Sequence, residues 1–422
     1  MSEERDVAGI WWLPENPTER WIGTLKLAPD QCPQLKFTVE ASSKLCSVQF
    51  PEVLHGCDQH GHPITLLSLG PSGGSFSRAL AEVIYSAGYA ILGIELANRE
   101  EFKVHSLMLH MQYLFDWLGR SGFQRESERK TEGLTMSYAF PALLTYPLDQ
   151  ERSVKIISSL KTRGGSGREA GREQRFLEDA CLQFDSAQGF NFAESQELVS
   201  AMRHLLHFAI LEPVYPLTIR CKKSGYGETH SGTFFPREIE ICSGLNREHI
   251  KNESDRDRWL FQFSDVQADF GLFLDKWLTI LKKFDEAMGC YFTTIYHPLP
   301  DVVQLICLTQ ALVAFHGIKN QSLGGYGLEK QIRELAEGPG ASMPGLFDDV
   351  SDFAKTVSDT RHYNTHFNPA DLAKRVVFGT PLFRVNEKMK LLFQVCVLTE
   401  MGIPSERFPR LRKQLTTHIV EY

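Results

Sequence analysis

Paired cysteines, long apolar runs and a surplus of basic residues are all missing from this 422-residue sequence. Its nine cysteines stand singly, and an odd count without paired spacing excludes a disulfide framework and points to reduced, buried thiols. The most membrane-like stretch, Val302 to Phe315, carries Gln304 and Gln310 and is shorter than the ~20 apolar residues a spanning helix needs, so no membrane association is expected. The opening Met1 to Asp6 is acidic and has no apolar signal segment, which places the expected location in the cytoplasm. A net charge of −7 excludes a surface coated for nucleic-acid binding. Internal repeats are also lacking, which excludes a solenoid.

What is present is an ordinary globular balance, 42% hydrophobic and 23% charged, in a chain long enough for two or three cores. The charge is uneven. Residues 361–422 hold ten Lys/Arg against five Asp/Glu, and the preceding 360 residues hold 35 against 47, so a local basic region can attract a phosphate backbone despite the acidic whole.

The first 250 residues favour strands. Leu35 to Glu40 and Leu217 to Lys222 alternate apolar with polar, Val154 to Ile156 begins in the same way, and Ala90 to Leu96 reads as a short buried strand. Two helices are expected among them. One carries Val104, Leu107, Met111, Leu114, Phe115 and Leu118; the other, capped by Asn191 and Glu194, carries Val199, Met202, Leu205 and Leu206. Lys161 to Arg172, rich in Gly and charge, reads as a loop or linker.

From about residue 256 the pattern becomes helical. Ser264 and Gln267 suggest a capping box before a run bearing Phe270, Phe273, Trp277, Ile280, Leu281 and Phe284. Further helices are expected after Pro300 through His316, from Phe347 to Arg361, from Asn386 to Met401 and from Ser405 to His418. The expected class is α+β, with a β-rich, sandwich-like domain over residues 1–255 and an all-α bundle over 256–422.

The segment Asp359-Thr-Arg-His-Tyr-Asn-Thr-His366, closed by Phe367-Asn368-Pro369, combines Arg361 with His366 five positions later. A guanidinium can clamp a phosphate and an imidazole can move a proton near neutral pH, which is the equipment of a metal-free ribonuclease. On an intact helix, positions five apart differ by about 140°. Either the helix loosens before His366, as Asn368-Pro369 favours, or the site is assembled from two copies.

With this segment and the run Leu308-Thr-Gln-Ala-Leu-Val-Ala-Phe-His316 upstream, the C-terminal part resembles the HEPN superfamily, in its ApeA-like branch. Trp11-Trp12-Leu-Pro and Trp21-Ile-Gly-Thr-Leu are similar to the N-terminal domain of the same anti-phage proteins. Many members carry Asn directly after the arginine, where His362 stands here.

The resemblance implies a homodimer formed through the helical bundle, with two motifs facing a cleft that cuts RNA, tRNA being one candidate. It implies no metal and no cofactor, with the 2′-hydroxyl of the RNA as nucleophile. Arg361 and His366 are then catalytic, with His362, Tyr363 and Asn364 in support. The implied setting is abortive infection in bacterial defence, set off by a phage-encoded trigger and regulated by the N-terminal domain.

Rival patterns come from other classes. Gly70-Pro-Ser72-Gly-Gly74 fits G-x-S-x-G between a strand-like Ile64 to Leu69 and a helix through Ala79, Leu80, Val83 and Ile84, the setting of a serine hydrolase nucleophile. The bland reading is a Gly-rich hairpin. A P-loop fits poorly, since no Lys follows the glycines. His55, Cys57, His60 and His62 lie close together, but zinc sites draw on two separated pairs and a polar turn is favoured. His204 and His207 read as helix packing residues, and Asp348, Asp349, Asp352 and Asp359 as a solvated helix face. A third reading is a HEPN bundle that only binds partners.

Overall fold

A computed structural model describes residues 4–40, 52–127, 134–164, 174–230, 233–245, 259–321, 327–343, 345–347 and 349–403. The chain divides into a unit formed by Met1–Arg203 and Val214–Glu253 and a second formed by His204–Pro213 and Ser254–Tyr422.

The first unit begins with β1 (Arg5–Leu13), β2 (Asn16–Leu27), β3 (Gln34–Glu40), β4 (Val53–Asp58), β5 (Pro63–Phe76) and β6 (Leu80–Leu92). These pair in the order β6-β3-β2-β1-β4-β5, and β5 returns to β6, so six antiparallel strands close into a barrel. Closure follows from the small residues that let the barrel fill with aromatic rings. A Cβ on Gly56 would lie 2.3 Å from the Trp11 ring, and one on Gly23 would lie 2.7 Å from the Phe37 ring. Trp11 Nε1 donates to the Gly23 carbonyl at 3.3 Å, so the indole is both buried and satisfied. Around it pack Trp21, Leu25, Leu35, Phe37, Leu54 and Leu66.

The unit continues through β7 (Lys103–Met111), α1 (Leu114–Leu118), β8 (Phe123–Ser127), β9 (Leu134–Tyr138), β10 (Leu144–Pro147), β11 (Arg152–Gly164), β12 (Gln174–Asn191), the start of α2 (Phe192–Ile210), whose residues from His204 onward count with the second unit, β13 (Pro216–His230) and β14 (Thr233–Ser243). The C-terminal half of β6 pairs with β14 and extends the barrel wall into the run β14-β13-β7-β12-β11-β10. The strand-rich expectation holds; the arrangement is a barrel with an extended sheet where a sandwich was expected, because β6 is long enough to join β5, β3 and β14.

The helix expected over Val104 to Leu118 is instead β7 followed by the short α1. Strand β7 lies between β12 and β13 with Val104, Leu107, Met108 and Leu109 buried, and burial on both faces erases the alternation that marks a strand. Helix α2 is as expected: Asn191 Oδ1 accepts from the Glu194 N–H at 2.9 Å, and Glu194 Oε2 accepts from the Asn191 N–H at 2.8 Å.

Among its described residues the helical unit contains α3 (Phe263–Val266), α4 (Phe270–Lys283), α5 (Asp285–Tyr296), α6 (Asp301–Asn320), α7 (Leu328–Glu337), α8 (Val350–His366) and α9 (Thr380–Met401). The capping box lies two residues earlier than expected, with Gln262 as cap and Asp265 reaching back to the Gln262 N–H at 2.8 Å. Helix α9 is buried almost all round from Leu391 to Leu398 and forms the centre of the bundle. Phe393 stacks on Tyr291 at 4.8 Å, and Phe284 stacks on Phe315 at 4.4 Å. Gln394 Nε2 donates to the buried Tyr291 hydroxyl at 2.7 Å. Helix α6 is long and apolar enough to cross a membrane, and its Leu305, Leu308, Leu312 and Phe315 are buried in the helical unit. Asp348 and the segment Ser405 to His418 fall outside the described residues.

Candidate functional site

Helix α8 mounts the Arg361 to His366 segment. Asp349 caps its start, accepting from the Asp352 N–H at 2.9 Å, and Phe353, Ala354, Val357, Thr360 and Asn364 anchor its inner face. The helix does not loosen before His366. It ends at Phe367 in the left-handed region (φ 51), whose N–H donates to the Tyr363 carbonyl at 2.7 Å. Arg361 and His366 therefore point about 140° apart within one chain.

The neighbour that shares the face of His366 is His362. The two rings lie 4.6 Å apart, both exposed at the end of α8, and Arg361, which precedes His362 in the chain, is half-buried. Asn364 faces inward and donates to the Thr360 carbonyl at 2.8 Å. Tyr363 packs edge-on against Phe367 at 6.2 Å and Phe378 at 5.6 Å, both of them largely exposed.

Sequence reasoning missed Asp371. It follows α8 on a 3₁₀ segment, Pro369–Ala373, started by Asn368, whose side chain accepts from the Ala370 N–H at 3.2 Å. Asp371 is 3% exposed. Lys374 Nζ lies 2.6 Å from one carboxylate oxygen and His362 Nε2 lies 3.4 Å from the other. The hydrogen bond from Lys374 holds the Asp371 carboxyl below the usual carboxylate range, and the nearby imidazoles of His362 and His366 add to the effect. The only trace in the sequence was an Asp and a Lys three positions apart, which reads as a surface pair.

The rival patterns have structural roles. Gly70 to Gly74 lies inside β5, and the following segment is β6, so the strand-turn-helix context of a serine nucleophile is absent; Ser72 is an exposed residue at a bulge between Pro71 and Gly73. The serine hydrolase reading is thereby corrected. Asp58 binds the turn after β4, accepting from the N–H groups of His60 and His62 at 2.8 Å each and lying 2.9 Å from the His62 ring. His55 is buried with its Nε2 2.8 Å from the Leu96 carbonyl. His204 stacks on Phe292 at 4.2 Å, and His207 packs on Tyr296 at 4.6 Å. Asp352 pairs with Arg375, and Asp359 accepts from the Arg375 N–H at 3.2 Å. Burial pushes the Cys181 thiol up to about 11 and those of Cys242 and Cys396 up to about 12, which leaves them as inert thiols.

The model of ApeA N-terminal domain 1 matches residues 6–277, more than half of the chain, and that of the Apea-like HEPN domain matches residues 314–407. The chain belongs to the ApeA family. The first match runs past the strands into α4, and the second covers α7, α8 and α9 and contains the whole Arg361 to His366 segment. This ApeA assignment corresponds to an anti-phage protein of ribonuclease-like type. No curated protein and no solved structure matches the chain.

Proposed function

We propose that this ApeA-family chain is a metal-independent endoribonuclease of bacterial anti-phage defence, acting in the cytoplasm, with Arg361 and His366 as its catalytic residues. The observation that carries the reading is the exposed His362–His366 pair at the end of α8, the helix that also bears Arg361, inside the segment matched by the HEPN domain. His366 takes the proton of a 2′-hydroxyl as that oxygen attacks the adjacent phosphorus. The bond from phosphorus to the 5′-oxygen breaks, and a second imidazole in the cleft returns a proton to the leaving oxygen. Arg361 offers paired donors to the non-bridging oxygens, whose charge grows in the transition state.

Two copies make the site complete. The 140° between Arg361 and His366 on an unbroken helix leaves one chain unable to aim both groups at one phosphate, and the exposed Phe367 and Phe378 beside them supply apolar surface for a second bundle. The RNA, with tRNA among the candidates, enters between the copies, and a phage product releases the activity through the N-terminal domain.

The test is the chemistry of the cut. Cleavage is expected to persist in EDTA, to stop on a substrate with a single 2′-deoxy sugar at the cut, and to leave a 2′,3′-cyclic phosphate upstream and a 5′-hydroxyl downstream. Mixing His366→Ala subunits with wild type should depress activity beyond dilution. Products with a 5′-phosphate, or activity lost to chelator and restored by Mg²⁺, would overturn the mechanism; RNA binding without cutting would favour a partner-binding bundle.

A further inference from the structure

A carboxylate offers about four acceptor positions, and buried acceptors are almost always used. Asp371 departs from that rule. Its Oδ1 is held by Lys374 at 2.6 Å, whereas Oδ2 is buried, makes no hydrogen bond among the described residues, and lies 3.4 Å from His362 Nε2. The 3₁₀ segment that carries it is fixed by its own backbone bonds, Asp371 N–H to the Asn368 carbonyl and Lys374 N–H to the Asp371 carbonyl, each 2.9 Å. The carboxylate is therefore stationary, and the exposed His362 ring is the part free to turn.

We propose that Asp371 is a positioning residue for the proposed ribonuclease site: its open oxygen orients His362 and, through the ring contact between His362 and His366, steadies the imidazole that moves the proton. The proposal rests on the ribonuclease reading above. A small rotation of His362 turns the 3.4 Å approach into an aligned N–H···O bond. The carboxylate then stabilises positive charge on the pair at the moment His366 accepts the proton, as a buried carboxylate behind a catalytic imidazole does. The charged groups facing Asp371 are Lys374 from its own segment and His362 and His366 from α8, with Asp359 acting on Lys374. Lys374 satisfies one oxygen and leaves the other for the histidines.

The experiment compares full-length wild type, Asp371→Asn and Asp371→Glu, with circular dichroism to verify folding. Asp371→Asn removes the charge and keeps the shape. Its kcat should fall about tenfold or more while KM stays within about twofold, because Asp371 acts behind an imidazole. The acid limb of its pH–rate profile should move to lower pH once the neighbouring negative charge is gone. Asp371→Glu should restore most of the rate. The ring ¹⁵N spectrum of the wild type needs no variant and should show a hydrogen-bonded proton on His362 Nε2.

An unchanged kcat and profile in Asp371→Asn, under conditions where His366→Ala is inactive, would overturn this role and leave the ribonuclease reading standing. So would a rate loss with an unmoved profile and no recovery in Asp371→Glu, a rise in KM alone, or an Nε2 without a proton. A wild type that cuts no RNA either alone or with an extract of phage-infected cells would overturn both.

Discussion

The strand-rich unit and the helical unit use their titratable groups in opposite ways. In the first, the carboxylates of Asp58 and Asp179 are tied to neighbouring histidines and to the backbone. Burial by itself would push the Asp58 carboxyl up, but bonds from His62 and His60 bring it below the usual range. Asp179 is treated in the same way by His110 and Lys161. In the helical unit, the end of α8 leaves two imidazoles exposed, and a buried carboxylate oxygen faces them with no hydrogen bond among the described residues. Polar groups that complete a fold are consumed by it, and polar groups kept open are where chemistry can take place.

The largest effects should come from setting the two regions against each other in an RNA-cleavage assay. Arg361→Ala and His366→Ala should each lower activity by about 10²- to 10⁴-fold in folded protein. Ser72→Ala, on the bulge of β5, should leave it unchanged. Wild-type activity in either α8 variant, or a loss in Ser72→Ala, would reverse the contrast.

A smaller effect separates the bundle core from the site it supports. Phe393→Ala removes a ring stacked on Tyr291 in the centre of the bundle and should cost about 3–5 kcal/mol of stability in a urea titration. Below its unfolding transition the cleavage rate per folded molecule should match wild type. A loss below about 1 kcal/mol would show that α9 does not hold the core.

The smallest effect concerns acid stability. The Asp371 carboxyl lies below its ordinary 3.8 in the fold, so its contribution to stability is present above that value and disappears as pH falls through the lower one. Asp371→Asn should therefore flatten the decline in stability below about pH 4 and change little at pH 7 beyond a constant offset. An unaltered acid slope would show that the ion pair with Lys374 has no weight in solution.

Legibility followed the geometry of burial. Helices with one apolar face, such as α2 and α8, are legible by period, and for α2 the Asn191–Glu194 box marks the cap as well. Strand β7, apolar on both faces, has no alternation to read and looked helical. The segment through Ala79, Leu80, Val83 and Ile84 resembles a helix after Ser72 by sequence, and pairing with both β5 and β3 makes it a strand from Leu80 onward. Arg361 and His366 were visible because both are local to one helix.

By itself the sequence determined the class of each region, because hydrophobic period and capping chemistry act over a few residues and need no distant partner. It also determined that Arg361, His362 and His366 share one segment. Tertiary structure alone decided that β5 closes on β6 around Trp11, since closure depends on glycines at 23 and 56 meeting rings from other strands. It alone decided that Asn364 turns inward while His362 sits beside His366. The burial of Asp371 behind that pair was likewise beyond the sequence, because whether a carboxylate is solvated or buried is set by what the chain folds over it.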